Sequence, residues 1–101
     1  MKVVYTDQAI ESLEESIYFY CAIQRIPIEK VESVIDELLD YADSLEMNPY
    51  RGQKEPHFID SNQELRRIIH GNFKIIYCID QETIYITDFF DSRQNPDDMK
   101  G

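Results

Sequence analysis

The sequence predicts an α+β fold in the order β-α-α-β-β-β. An N-terminal strand leads into an antiparallel helical hairpin, and a three-stranded antiparallel meander follows, packed as two layers. Three observations predict it. Apolar residues recur at helical spacing in two blocks between residues 9 and 45. Three β-prone runs follow, at 64–70, 73–80 and 83–91. Short turn signals, Gly71-Asn72 and the 80–83 stretch, separate those runs.

The opening KVVYT is short and β-prone and reads as the first strand. Thr6-Asp7 offers a helix N-cap. Ala9, Leu13, Ile17, Tyr20 and Cys21, with Ile10 beside them, then mark the buried side of a helix ending near Gln24. Ile26 precedes Pro27, and a residue before proline avoids the α region. Pro27 suits the first turn of the second helix. Its stripe is Val31, Val34, Ile35, Leu38, Tyr41, Ala42 and Leu45, and Asn48-Pro49 stops it. Residues 50–62 read as a loop. Gly71-Asn72, with glycine first, fits a type II′ hairpin turn. Residues 1–96 form a single domain by this reading, and 97–101 are expected to fray.

The chain of 101 residues carries a formal charge of −10. Such a field repels polyanions, so binding of bare nucleic acid is not expected. The charge is polarised. Between Asp7 and Glu46 there are 11 acids against Arg25 and Lys30; between Arg51 and Ile79 five bases face three acids. Along the second helix, Glu32–Asp36–Asp40 repeats like charge at i, i+4 and Glu37–Asp40–Asp43–Glu46 at i, i+3. Each such pair disfavours the helix by about 0.2–0.5 kcal/mol. The face is either simply solvated or a docking surface for a basic partner. Cys21 and Cys78 lack a CxxC or disulfide framework and read as reduced thiols of a cytoplasmic protein. No apolar run approaches the roughly 18 residues of a membrane span. His57 and His70 lack metal-ligand spacing, and neither metal nor cofactor is assigned. P-loop, GxSxG and HExxH motifs are absent.

Strand parity nominates a site. A two-residue turn at Gly71-Asn72 pairs His70 with Phe73 and Ile69 with Lys74. Arg67 then shares the Lys74 face, and Phe73, Ile75, Tyr77 and Ile79 face the helices. A second two-residue turn at 81–82 adds Thr83, Tyr85, Thr87, Phe89, Asp91 and Arg93 to the Lys74 face. Arg67, Lys74 and Arg93 would stand together, and a one-residue slip would exchange Arg67 for Arg66 and His70. The plainer reading is that these cations protect edges or pair with acids such as Asp88 or Asp91.

Four segments carry a resemblance. "YTDQAIESLEESIYFY", the connector "LEMNPYRG", the hairpin "LRRIIHGNFKIIYCID" and the last strand "IYITDFFDSRQNP" are similar, in order and spacing, to the RelE/ParE toxin superfamily of bacterial toxin–antitoxin systems. The ParE-like, plasmid-stabilisation branch is the nearest in pattern. The resemblance implies a two-layer RelE/ParE-like sandwich and a cognate antitoxin whose C-terminal segment wraps and silences the toxin. ParE-like members inhibit DNA gyrase without catalysis; RelE-like members cleave mRNA on the ribosome. Lys74 and Arg93 match positions where RelE-like nucleases carry functional arginines, which implies catalytic roles for these two only if the chain is a nuclease; the strand-parity reading adds Arg66 and Arg67 to Lys74 and Arg93 as candidate binding residues. Past Arg93 no Tyr or His stands where the nucleases often carry a C-terminal tyrosine. Lys74 and Arg93 could stabilise a phosphorane but are poor bases. The expected function is therefore a non-catalytic ParE-like inhibitor; the alternatives are a RelE-like endoribonuclease or a degenerate, non-toxic member. Homo-oligomers are compatible with all three.

Overall fold

The computed structural model of the chain describes residues 1–58 and 64–101. The elements are β1 (Lys2–Tyr5), α1 (Asp7–Tyr18) continued by a π-helical turn (Phe19–Ile23), α2 (Ile28–Asp43) continued by a 3₁₀ turn (Ser44–Glu46), β2 (Gln53–Lys54), β3 (Arg66–His70), β4 (Phe73–Asp80) and β5 (Thr83–Asp91). The sheet order is β1-β5-β4-β3-β2. β1 runs parallel to β5, and the other neighbours are antiparallel.

Local chemistry sets the boundaries. The Thr6 hydroxyl accepts the Ala9 N–H at 3.1 Å and donates to the Ile86 carbonyl, so one side chain caps α1 and ties it to β5. The first helix closes with the Ile26 N–H on the Tyr20 carbonyl, and Arg25 takes φ 55° in the left-handed position that such closures favour for glycine. Pro27 sits one residue earlier than expected. It is extended, precedes α2, and its carbonyl receives the Lys30 and Val31 N–H groups. Gly71 has φ 59° and Asn72 does not take a positive φ, as a type II′ turn requires. The 81–82 turn is also two residues long, with Gln81 at φ 48° and Glu82 at φ 65°.

The principal core lies between the helices and one sheet face. Ala9, Leu13, Tyr20, Val31, Leu38, Ala42 and Leu45 meet Ile68, Phe73, Ile75, Tyr77, Ile84, Ile86 and Phe89. Val34 and Ile10, counted with the buried stripes in sequence, stay 42% and 43% exposed. The opposite sheet face carries a smaller cluster of Leu65, Ile76, Phe90 and Met99. Residues 97–101, expected to fray, lie against that face. Met99 is 6% exposed, the Lys100 N–H donates to Asp88 at 2.8 Å, and Gln8 donates to the Gly101 carbonyl. Two apolar side chains of the sheet, Ile76 and Phe90, need that cover.

The loop expected over residues 50–62 contains β2, which pairs with β3 through Gln53↔Arg67 and Lys54↔Arg66. Its stretch 59–62 lies outside the described residues. Cys21 and Cys78 are both free and half-buried, the first against the principal core and the second against the outer cluster. Burial, with Asp80 nearby, pushes the Cys78 thiol up. No helix among the described residues is long and apolar enough to cross a membrane.

Candidate functional site

The hairpin register follows from the glycine turn. His70 pairs with Phe73, Ile69 with Lys74 and Arg67 with Ile76. Arg67 and Lys74 therefore share the outer face, and no slip brings in Arg66. What joins them is Glu55, from the loop before β3. Its carboxylate binds Arg67 at 3.0 Å and Lys74 at 2.7 Å, and its side chain is 1% exposed. The Glu55 backbone N–H donates to the Leu65 carbonyl, which fixes the residue at the sheet edge. One carboxylate between two cations satisfies all three charges in a half-buried setting.

Arg93 does not join them. Tyr77 pairs with Ile86 but Ile76 pairs with Asp88, so Thr87 is an extra residue on β5. Beyond this bulge the parity of β5 reverses. Phe90 comes to lie beside Lys74, while Phe89 and Asp91 pair with Ile75 and Phe73 on the helix side. The expectation that Arg67, Lys74 and Arg93 stand on one face is thus corrected at Arg93. Its guanidinium binds the Tyr20 hydroxyl at 2.7 Å and Asp91 at 2.6 Å, and Tyr20 donates to the same carboxylate at 2.7 Å. Burial alone would raise the Asp91 carboxyl; the hydrogen bonds from Arg93 and Tyr20 outweigh it and hold it at about 2. Burial and the bond to Asp91 push Tyr20 up to about 12. The bond to Asp91 likewise keeps Arg93 firmly charged.

Arg66 faces the helix side. It donates to the Gly52 carbonyl at 2.7 Å, binds Glu64 at 2.7 Å and stacks over Tyr50. This organises the connector. The buried Tyr77 hydroxyl donates to the Pro49 carbonyl at 2.8 Å and accepts the Gly52 N–H at 2.9 Å. A Cβ on Gly52 would stand 2.5 Å from that hydroxyl and 2.7 Å from the Arg67 carbonyl, so only glycine fits. Pro49 and Gly52, two of the residues that carry the family resemblance, are therefore both clamped by one tyrosine of β4.

A groove of about 380 Å³ opens beside Arg93, between α2 and the β3–β4 turn. Val31, Val34, Ile35 and Phe73 line it, with Lys30 and Arg93 among its polar residues and the Glu37–His70 pair also on its wall. Sequence reasoning named Asp91, with Asp88, as an acid these cations could pair with, and missed Glu55 and Tyr20. Asp91 was visible as an acid two residues before Arg93. Glu55 and Tyr20 are distant in sequence from the cations they meet, and no local signal marks them.

Two helices on a five-stranded sheet, the expected β-α-α-β-β-β order with the short edge strand β2 added, form a small sandwich of the RelE/ParE type. The family described as "ParE toxin of type II toxin-antitoxin system, parDE" matches residues 3–96. The chain belongs to this ParE toxin family. Among solved structures it is similar to one described as "Chromosomal ParDE TA system from P. aeruginosa", with a TM-score of 0.70 over 88% of this chain and 92% of that one. At 16% identity that likeness speaks for the fold. No curated protein matches the sequence.

Proposed function

We propose that the chain is a toxin that acts in the cytoplasm by binding a protein target, DNA gyrase by family likeness, and that a cognate antitoxin silences it. The observation that carries this reading over RNA cleavage is the separation of Lys74 and Arg93 onto opposite sheet faces. A scissile phosphate could not be gripped by both. Each of the four nominated cations is also bound to a carboxylate: Arg66 to Glu64, Arg67 and Lys74 to Glu55, Arg93 to Asp91. Such pairing lowers the attraction for phosphate. Arg93 has the most exposed side chain of the four, at 54%, and is the favoured target contact.

A supercoiling assay with purified gyrase, run beside cell-free translation with primer extension on the message, tests the proposal. Inhibited supercoiling with intact message is the expected result, and Arg93→Ala should weaken the inhibition without loss of a cooperative melt. Message cut at codon boundaries would overturn it in favour of a nuclease. Silence in both assays, with harmless expression, would overturn it in favour of a degenerate member.

A further inference from the structure

The groove between α2 and the β3–β4 turn, about 380 Å³ in volume, is the size of a small-molecule site. Val31, Val34, Ile35, Leu38 and Phe73 form its apolar lining. Val34 is 42% exposed, so that lining is open to water. Lys30 from the first turn of α2, Asn72 from the β3–β4 turn and Arg93 from beyond β5 border the same space.

The charges around it are unequally engaged. Asp91 accepts Nε of Arg93 at 3.0 Å, Nη2 of Arg93 at 2.6 Å and the Tyr20 hydroxyl at 2.7 Å, and its side chain is 9% exposed. That carboxylate is saturated and withdrawn from water. The guanidinium it holds is 54% exposed, and among the described residues its Nη1 makes no hydrogen bond. The exposed Lys30 ammonium has no carboxylate within ion-pair distance among the described residues. Glu37 is the one acid among the described lining residues, and His70 engages it at 3.3 Å. Spare cationic donors thus stand beside an apolar lining.

These features select the occupant. An apolar body set against Val34 and Phe73 leaves water. A carboxylate meets charged donors, whose hydrogen bonds are about twice as strong as neutral ones. An ammonium would meet Arg93 and Lys30 as like charges. The net charge of −10 repels a polyanion at long range, but salt screens that field within about 10 Å, and a single carboxylate responds to the cations it touches.

We propose that this groove binds a small monocarboxylate with a compact apolar body, an aryl-alkyl or medium-chain acid. Its carboxylate sits on Arg93 and Lys30, and its body lies against Val34, Ile35 and Phe73. The inference goes beyond the toxin reading and does not depend on it.

The test titrates the isotope-labelled whole chain with phenylbutyrate, phenylbutanol, phenylbutylamine and acetate, and reads amide shifts. Phenylbutyrate should shift residues 30–38 and 70–73 saturably and bind about tenfold tighter than the alcohol or the amine. Acetate, which lacks the apolar body, should bind about tenfold more weakly still. Lys30→Gln, at an exposed position where the fold is not at risk, should weaken phenylbutyrate about threefold or more and leave the alcohol unchanged. Arg93→Gln should weaken the acid further. Lys54→Gln, an equal charge change on β2, should alter neither ligand. Val34→Ser should weaken acid and alcohol alike. Equal affinity of acid, alcohol and amine, shifts centred outside the groove, no saturable shift, or equal losses from Lys30→Gln and Lys54→Gln would each overturn the proposal. No antitoxin, gyrase or message enters this experiment, so its failure and the failure of the toxin reading are separately visible.

Discussion

The Glu55 carboxylate receives the Lys74 ammonium at 2.7 Å, with 1% of the glutamate side chain exposed. Its other oxygen holds Arg67, so the buried acid is the counter-charge of both cations. Glu55→Ala removes that charge and leaves two half-buried cations side by side. The expected loss is about 3 kcal/mol, read as a lower urea midpoint at unchanged slope. Lys74→Ala leaves Glu55 with Arg67 and should cost about 1 kcal/mol, with a cooperative melt retained. A larger loss from Lys74→Ala than from Glu55→Ala would reverse this account.

The knot of Tyr20, Asp91 and Arg93 makes stability depend on pH. The Asp91 carboxyl lies at about 2 in the folded chain against an ordinary 3.8. The folded value is depressed, so the contribution is fully present above about 4 and is lost as pH falls through about 2. It amounts to about 1–2 kcal/mol. Urea midpoints measured between pH 5 and pH 2 should fall more steeply for the native chain than for Arg93→Ala. Parallel curves would show that Arg93 does not hold the carboxylate.

Asp88 titrates in the opposite sense. Burial raises its carboxyl, and the bonds from Ser12 and the Lys100 backbone only partly offset this. An acid whose folded value is raised weakens the fold once it ionises, and the cost disappears as pH falls below its ordinary range. Asp88→Asn keeps an acceptor for the Lys100 N–H and can donate to Ser12. The variant should be more stable than the native chain at pH 7, with the advantage shrinking toward pH 3. A less stable variant at pH 7 would mean that the charge on Asp88 is needed to hold the C-terminal segment.

Element order and the faces of β3 and β4 were legible because they follow from short-range rules. Helical spacing placed α1 and α2, and the glycine of the 71–72 turn fixed the pairing of His70 with Phe73. The position of Arg93 was not legible, because one unmarked residue, Thr87, carries the bulge that reverses β5. Neither glycine nor proline announces it. β1 joins β5 across nearly the whole chain, and a two-residue strand such as Gln53–Lys54 has too little pattern to read. The capture of Arg67 and Lys74 by Glu55 depends on how the loop returns to the sheet edge, which is a tertiary outcome. Met99 stands in a polar tail, and only the tertiary fold brings it over Ile76 and Phe90.

The 81–82 turn holds two L-residues in the left-handed region, Gln81 at φ 48° and Glu82 at φ 65°. The conformation suits the twist of a two-residue hairpin but is disfavoured for side chains other than Asn, Asp or Gly. Gln81→Asn with Glu82→Gly should stabilise the chain by about 1 kcal/mol and raise the melting temperature by about 4–8 °C. Arg25→Gly, at φ 55°, should add a smaller gain of the same kind. A lower melting temperature for the hairpin variant would mean that Gln81 or Glu82 makes contacts worth more than the backbone relief.

Gly52 stands where the connector meets β4, and the test there separates space from conformation. No left-handed φ is involved; the constraint is the nearness of the Tyr77 hydroxyl and the Arg67 carbonyl, 2.5 and 2.7 Å from where an alanine methyl would stand. Gly52→Ala must displace the tyrosine ring or the β3 backbone. Either shift breaks the Gly52–Tyr77 bond and disturbs the edge pairing of β2. The expected loss is about 2–3 kcal/mol. Tyr77→Phe removes the hydroxyl that stands closest, at the cost of the bonds to Pro49 and Gly52, and by itself should lose about 1–2 kcal/mol. In the Tyr77→Phe background the alanine should cost less than it does in the native chain, because the nearest atom is gone. Strict additivity of the two losses in a double-mutant cycle would place the clash on the atoms that phenylalanine leaves in place, the Cε1 of the ring and the Arg67 carbonyl, each 2.7 Å from the methyl.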